Sequence, residues 1–324
     1  MKLDALRFVI GAVARKDLDE NLCHLEIKAG RAIAYGGRLA MSTPIECPFD
    51  VRPHARSLVK AVQACDDDDI ALAMTPAGRL SIKAGKFKAF VPCLSMEHDM
   101  AQLRPDGVFF EVNDDLFESI VALAPFMSID ASRPWAQGLK IGAHSTYATN
   151  NIILAQRFHG ANFPLDVIIP ADAVQELIRI DEKPVGVQVC ENSLTFYFPD
   201  KRWLCTHLIA TDGGWDRADM IFEKNTNPVG LADVPQGLYD ALDKLKPFLD
   251  DKGYAFLLGD RIATSRDDET GASIECPVAN GPVYHAIQLR ALEKIATQIN
   301  FTTYPRPSYF VGHKLRGVIV GVRI

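Results

Sequence analysis

The stretch Pro53–Leu94, PHARSLVKAVQACDDDDIALAMTPAGRLSIKAGKFKAFVPCL, decides the fold. Ala55, Leu58, Val59 and Val62 recur at helical spacing and gather on one stripe, while Arg56, Lys60 and Gln63 fall on the opposite side. The acid run Asp66 to Asp69 ends that helix. The period then switches to two, with Ile70, Leu72 and Met74, then Leu80 and Ile82, then Phe87, Ala89 and Val91 alternating with polar neighbours. Turns at Pro76-Ala77-Gly78-Arg79 and Ala84-Gly85-Lys86 separate three strands. A helix with one apolar stripe lying on an alternating sheet is half of a small α+β domain, because each apolar face needs a second layer.

The same unit recurs along the chain. Leu3, Leu6, Ile10 and Val13 form a stripe followed by strands at 22–28, 32–35 and 39–45. Leu116, Ile120 and Leu123 precede strands at 135–141, 145–149 and 152–158, and Pro170 opens a helix followed by strands at 185–190, 194–198 and 203–209. Leu238, Leu242, Leu245 and Phe248 precede strands at 254–258, 261–265 and 272–278. Leu289, Leu292, Ile295 and Ile299 lead to strands at 309–312 and 317–324. Helix starts near positions 3, 53, 114, 171, 236 and 285 lie about 50 to 65 residues apart. Linker-like stretches at 96–107 and 212–237 follow the second and fourth copies. Six copies closing in successive pairs give three tandem α+β domains, 1–105, 106–215 and 216–324.

Composition narrows the function. The chain has 324 residues, 48% apolar and 23% charged, with a net charge of −6, which argues against a generally basic nucleic-acid binder but leaves room for a local basic surface. No apolar run approaches the roughly 20 residues of a membrane helix, and Met1-Lys2-Leu3-Asp4 does not open a signal peptide, so a cytoplasmic protein without a membrane partner is expected. The seven cysteines contain no C-x-x-C pair and read as buried free thiols, with no metal or cofactor expected.

Six helix-plus-strands units in three domains resemble the bacterial DNA sliding clamp, the β subunit of DNA polymerase III. Leu80-Ser81-Ile82-Lys83-Ala84-Gly85-Lys86 is similar to that family's basic strand-turn-strand ending its first domain. Trp135-Ala136-Gln137-Gly138-Leu139 with Tyr147-Ala148-Thr149-Asn150-Asn151 resembles its second-domain hairpin. Leu208-Ile209-Ala210-Thr211-Asp212-Gly213-Gly214-Trp215-Asp216 looks like the segment leaving domain two, and Val318-Ile319-Val320-Gly321-Val322-Arg323-Ile324 like the terminal strand. The chain is shorter than is usual for the family, which suits a divergent, phage-encoded clamp. Asn150-Asn151-Ile152-Ile153 departs from the family's Gly-His-Arg run.

The resemblance implies a crescent that closes as a head-to-tail homodimer into a ring around double-stranded DNA. Such a ring acts as a processivity factor, placed by a clamp loader and tethering a DNA polymerase. It holds by topology and needs only sequence-independent attraction to phosphates. The implied DNA-facing residues are Arg7, Arg15, Lys16, Arg56 and Lys60, then Arg179, then Lys244, Lys246, Arg290 and Lys294; the alternative for each is an ordinary solvated helix face. Met1–Lys16 sums to +3 and Arg52–Ala64 to +3, whereas Asn113–Ser128 sums to −3, an uneven lining. A peptide pocket between domains two and three would use Thr149, Leu154, Met220, Ile221, Val320, Val322 and Arg323, an apolar groove with a cationic rim. The dimer seam would use Ala89 and Val91 against Phe248 and Leu249. For Val320, Val322 and the seam residues the alternative is core.

Enzyme chemistry finds no support. The eight histidines are scattered, and no H-E-x-x-H, Gly-rich phosphate loop or G-x-S-x-G occurs. Asp130, Ser132 and His144 lie close in sequence, but nothing fixes nucleophile, base and orienter together. The rival classes are a structural or assembly protein built on the same repeat and, further off, an uncharacterised hydrolase.

Overall fold

The computed structural model describes residues 2–65, 69–96, 103–210, 213–267 and 269–324. Most of the acid run Asp66–Asp69, part of the first linker-like stretch and Thr211-Asp212 lie outside them.

Among the described residues seven α-helices form: α1 Leu3–Val9, α2 Ala55–Gln63, α3 Asp114–Leu123, α4 Ala171–Ile180, α5 Ala218–Asn225, α6 Leu238–Leu245 and α7 Ala286–Ala291. Six begin within two residues of the positions the repeat predicts. The exception is α5, inside the stretch read as a linker, where only Ala218 and Phe222 are buried and Gly213, Gly214 and Pro228 flank a short helix.

Each helix of the repeat is followed by short strands. After α1 come β1 Leu25–Lys28, β2 Arg31–Tyr35 and β3 Leu39–Pro44; β4 Arg52–Pro53 leads into α2, followed by β5 Ala71–Met74, β6 Arg79–Ala84 and β7 Phe87–Leu94. β8 Val108–Glu111 leads into α3, followed by β9 Gly138–Ile141, β10 Ser145–Thr149 and β11 Ile153–Phe158. β12 Val167–Pro170 leads into α4, followed by β13 Gly186–Val189, β14 Ser193–Phe198 and β15 Arg202–His207. β16 Ala232–Asp233 precedes α6, followed by β17 Tyr254–Leu258, β18 Arg261–Ala263 and β19 Ser273–Glu275. β20 Asn280–His285 leads into α7, followed by β21 Gln298–Ile299, β22 Ser308–Gly312 and β23 Leu315–Ile319. The lead strands β4, β8, β12, β16 and β20 are absent from the sequence-based expectation. They are two to six residues long and lie upstream of the helices, where a period of two is hard to resolve.

The chain folds into two compact units. The first comprises residues up to Asp114 with Asp172–Leu208, and the second Asp115–Ala171 with Ile209–Ile324. The first holds an antiparallel seven-stranded sheet ordered β1-β2-β3-β15-β14-β13-β8, in which Leu39 pairs with Thr206 and Ser42 with Trp203, and a four-stranded sheet β4-β7-β6-β5. The second holds an eight-stranded sheet β12-β9-β10-β11-β23-β22-β21-β16, joined by Ile153↔Ile319 through Arg157↔Leu315, and a four-stranded sheet β19-β18-β17-β20. Strands of the first repeat therefore share a sheet with the fourth, and strands of the third with the sixth. The helices do meet in successive pairs, α1 on α2 and α6 on α7. Of their stripes, Leu6 and Val13, Leu58 and Val62, Leu238, Leu242 and Leu245, and Leu289 are buried, whereas Leu3, Ile10 and Val59 are half-buried and Phe248 is exposed.

In the first unit one buried ion pair ties the two sheets. Arg52 on β4 donates to the Glu26 carboxylate of β1 at 2.6 and 3.1 Å, with both side chains under a tenth exposed, and donates also to the Ser95 carbonyl at 3.2 Å. Beside it His24 and His54 face each other across a β-bridge, ring centroids 5.2 Å apart. The His54 Nδ1 accepts the Ser57 amide at 3.3 Å and caps α2, which requires that nitrogen to be unprotonated.

Burial, then the neighbouring His24 and Arg56, hold His54 below the ordinary imidazole value; burial does the same to His159. A depressed imidazole binds its proton more readily in the unfolded chain, so its stabilising effect is full above pH of roughly 6.5 and is lost as pH falls through the lowered folded value. Denaturant midpoints are expected to be flat above pH 7 and to drop on acidification towards pH 5. His54→Asn, which keeps a capping oxygen, is expected to flatten part of that drop.

Candidate functional site

A groove of about 700 Å³ lies wholly within the second unit. Its floor is the joint of the eight-stranded sheet, where Ile153 and Leu154 of β11 meet Val318 of β23 and Val320 just beyond it. Side chains at such a joint are already packed across two strands, so the floor is rigid and apolar. Trp215, Ala218 and Phe222 pack over Leu154, Ile168, Tyr309 and Val318 as one buried cluster, which seats α5 on the sheet.

One wall is aromatic. Trp135 and Trp215 meet edge to face at 5.4 Å and 76°, and the Trp215 indole N–H donates to the Trp135 carbonyl at 3.2 Å. Tyr147 packs on Trp215 at 6.2 Å, and burial pushes its hydroxyl above the usual phenol range. Gly214 makes the approach possible, because a Cβ there would stand 2.4 Å from the Trp135 indole. From below, Arg316 lies over the Phe222 ring at 4.6 Å and donates to Gln156 at 2.6 Å, while Gln156 donates to Tyr147 at 2.9 Å and Ser145 at 3.0 Å.

The opposite lip is the β10–β11 turn. Asn151 sits at φ 72°, a left-handed conformation that asparagine tolerates, and the Asn150 carboxamide accepts the Ile152 and Ile153 amides at 3.1 and 2.8 Å. Asn150-Asn151 thus closes the hairpin where the resemblance leads one to expect Gly-His-Arg. Arg133 donates to the Asn151 carboxamide oxygen and lies 3.9 Å from Asp130. Arg217, just before α5, is the second cation on the rim.

Of the residues expected at a peptide pocket, Thr149, Leu154, Ile221 and Val320 line the groove; Met220, Val322 and Arg323 do not. Met220 is exposed and off the lining. The main chain at Val322 is held by an amide bond to the Val283 carbonyl at 2.7 Å and by the Tyr304 hydroxyl at 2.6 Å, and Arg323 is exposed. Trp135, Trp215, Arg133, Arg217 and Pro307 line it without having been singled out. A signal was available: two of the chain's three tryptophans sit in the stretches that carry the resemblance.

The cations expected to face DNA divide into two sets. Arg15, Lys16, Lys60, Lys244, Lys246 and Lys294 are exposed, Arg7 lies 3.5 Å from Asp4 with more than half its side chain exposed, and Arg56 is half-buried. Arg179 and Arg290 are engaged within the fold. Arg179 donates to the Arg7 and Phe8 carbonyls at 3.1 and 2.9 Å, satisfying the end of α1, and pairs with Glu176. Arg290 joins α7 to α6 through Asp243 at 2.7 Å and also binds Glu293 at 2.6 Å, which holds Asp243 below the usual carboxylate range. The acidic start of α3 is matched as well: Asp114 pairs with Lys183 at 2.8 Å, Asp115 with Lys314 at 2.7 Å and Glu118 with Arg157 at 3.1 Å.

Of the residues expected at a dimer seam, Ala89 is half-buried on β7 and Phe248 is 61% exposed, with Leu249 half-buried beside it. Val91 is only 1% exposed and belongs to the core of its own sheet.

The whole chain shares its fold with bacterial β sliding clamps. The β sliding clamp of Caulobacter crescentus superposes with a TM-score of 0.82 at 20% identity. The β subunit from DNA polymerase of Streptococcus pyogenes gives 0.81 at 15%, and the DNA polymerase III subunit β of Pseudomonas aeruginosa 0.80 at 16%. In each case 99% of this chain and 97% of the other are covered. No protein-family model and no curated protein sequence matches the chain.

Gly214→Ala tests the aromatic wall. Forcing a methyl against the indole is expected to cost about 1–3 kcal/mol in a denaturant titration and to shift the tryptophan emission.

Proposed function

We propose that this chain is a sliding clamp, a processivity factor that encircles duplex DNA without reading its sequence and tethers a DNA polymerase through the groove. The observation that carries the reading is the match of fold over 99% of this chain and 97% of the clamps. In this reading residues 1–105, 106–215 and 216–324 are the three clamp domains, a loader places the ring, and the protein works in the cytoplasm at the nucleoid without itself catalysing a reaction. DNA attraction rests on Arg7, Arg15, Lys16, Arg56 and Lys60 of the first domain and Lys244, Lys246 and Lys294 of the third. Arg179 and Arg290 act instead as internal struts. The groove has the apolar floor and cationic rim that suit a short peptide with hydrophobic anchors.

Sheet topology supports a head-to-tail homodimer. The last strand of repeat one pairs with the last of repeat four, β3 with β15, and that of repeat three with that of repeat six, β11 with β23. Each repeat thus pairs with the third one along. Continuing the rule, β19 of repeat five would pair with β7 of repeat two in a second copy. Both edges are open among the described residues: β19 is outermost in its sheet, and β4 reaches β7 only at Cys93 and Leu94, leaving 87–91 bare on that side. A bare edge is a template for another strand. Exposed Lys83, Lys86 and Lys88 lie on or beside one edge, and Asp267, Glu269 and Glu275 on or beside the other, so the edges are complementary in charge.

Two experiments test this reading. Light scattering at micromolar concentration is expected to give twice the chain's 35.7 kDa, with the charge-reversed Lys88→Glu weakening the dimer; a clean monomer mass overturns the ring. Once loaded, the protein is expected to stay on nicked circular DNA and to slide off after linearisation, with Arg56→Glu plus Lys60→Glu lowering the salt dependence of DNA contact. Equal retention on both DNA forms points to an assembly protein that reuses the fold.

A further inference from the structure

We infer that the groove selects partner peptides that place a carboxylate beside their apolar anchors, and that Arg217 is the residue that reads it. The inference rests on the groove being the peptide site proposed above. Among the described residues two arginines and no acidic side chain line the groove. The resemblance places the rim charge on Arg323 of the terminal segment, but Arg323 does not reach the groove, so the cationic rim comes from Arg133 and Arg217 instead.

The two arginines are not equivalent. Arg133 is already bound to the Asn151 carboxamide and lies near Asp130, so it must give up a partner to meet a ligand. Arg217 is exposed at the start of α5 and pairs with no carboxylate among the described residues. Of the acids nearest in sequence, Asp216 has its carboxylate over Gly213, and the charge of Asp219 adds to the effect of burial on Tyr147. A guanidinium on the rim of an apolar groove presents planar, paired donors, a geometry that favours bidentate contact with a carboxylate. An ammonium at the same place would bind as a point charge with less directional preference.

The carboxylate can come from an Asp or Glu side chain or from a peptide C-terminus, and the probes separate the two. Fluorescence anisotropy would compare three labelled hexapeptides with the same leucine and phenylalanine anchors. One carries Glu after the anchors with a blocked C-terminus, one Gln with a blocked C-terminus, and one Gln with a free C-terminus. The Glu peptide is expected to bind about threefold to tenfold tighter than its blocked Gln counterpart at low salt, with the ratio shrinking as salt rises. Arg217→Gln is expected to bring that ratio to one, Arg217→Lys to retain part of it, and Arg133→Gln to change it less than Arg217→Gln. A gain confined to the free C-terminus assigns the contact to chain ends and overturns selection by a side chain. A ratio of one in the parent protein, or a ratio that survives Arg217→Gln, overturns the role of Arg217 while the groove still binds peptide. Failure of all three peptides to bind refutes the groove as the peptide site, and the inference with it.

Discussion

The main-chain pairing of last strands, β3 with β15 and β11 with β23, is the constraint on which the rest of the structure depends. Each repeat ends in a strand whose outer amides and carbonyls need partners, and a three-stranded sheet with one apolar face is marginal alone. Joining two such sheets edge to edge satisfies both rows of hydrogen bonds and makes sheets of seven and eight strands. Of the three joints of this spacing that six repeats allow, one to four and three to six form within the chain, while repeats two and five keep four-stranded sheets with open edges among the described residues. Two joints are satisfied within the chain and a third is left open, which is the edge that the proposed second copy would fill.

The groove is a by-product of one joint. Where β11 meets β23 the sheet face is wide and apolar, and the segment after residue 212 covers part of it with Trp215, Ala218 and Phe222. At the other joint Ala40, Trp203 and Cys205 are buried, with Leu103 of the first connecting segment packed against them. Leu103 is what the described part of the first connection lays on its joint, and the second connection adds a two-turn helix. Trp135 meeting Trp215, made possible by the missing side chain at Gly214, then forms the aromatic wall beside that floor.

Charge follows a similar economy. Arginines that the repeat sets on helix faces become struts where a neighbouring carbonyl or carboxylate is within reach, as with Arg179 at the end of α1 and Arg290 between α6 and α7. Arg15, Lys16, Lys60, Lys244, Lys246 and Lys294 stay solvated. The same logic resolves the acidic start of α3, whose three carboxylates each meet a lysine or arginine from another element. A net window charge is therefore a poor guide to the field a surface presents, because neighbours distant in sequence neutralise it.

Local physics made much of this protein legible from residues alone. The six helix starts follow from stripes such as Leu116, Ile120 and Leu123, because a 3.6-residue period is written in consecutive positions. The hairpins follow from alternation between turns such as Ala84-Gly85-Lys86. At the groove, Thr149 and Val320 lay within reach of sequence reasoning because they belong to the stretches that carry the resemblance, and Leu154 and Ile221 because they follow such stretches within a few residues. The lead strands and α5 did not, since they are too short or too weakly periodic to separate from their surroundings. Nor did the joining of repeat one to four and three to six, the Trp135–Trp215 wall, or the division of arginines into struts and rim. Those depend on contacts between residues tens to more than a hundred positions apart, and no local period encodes which edge finds which. The sequence by itself determined the repeat and the apolar face of each copy; only the tertiary structure decided which copies share a sheet, where the groove opens and which cations remain free.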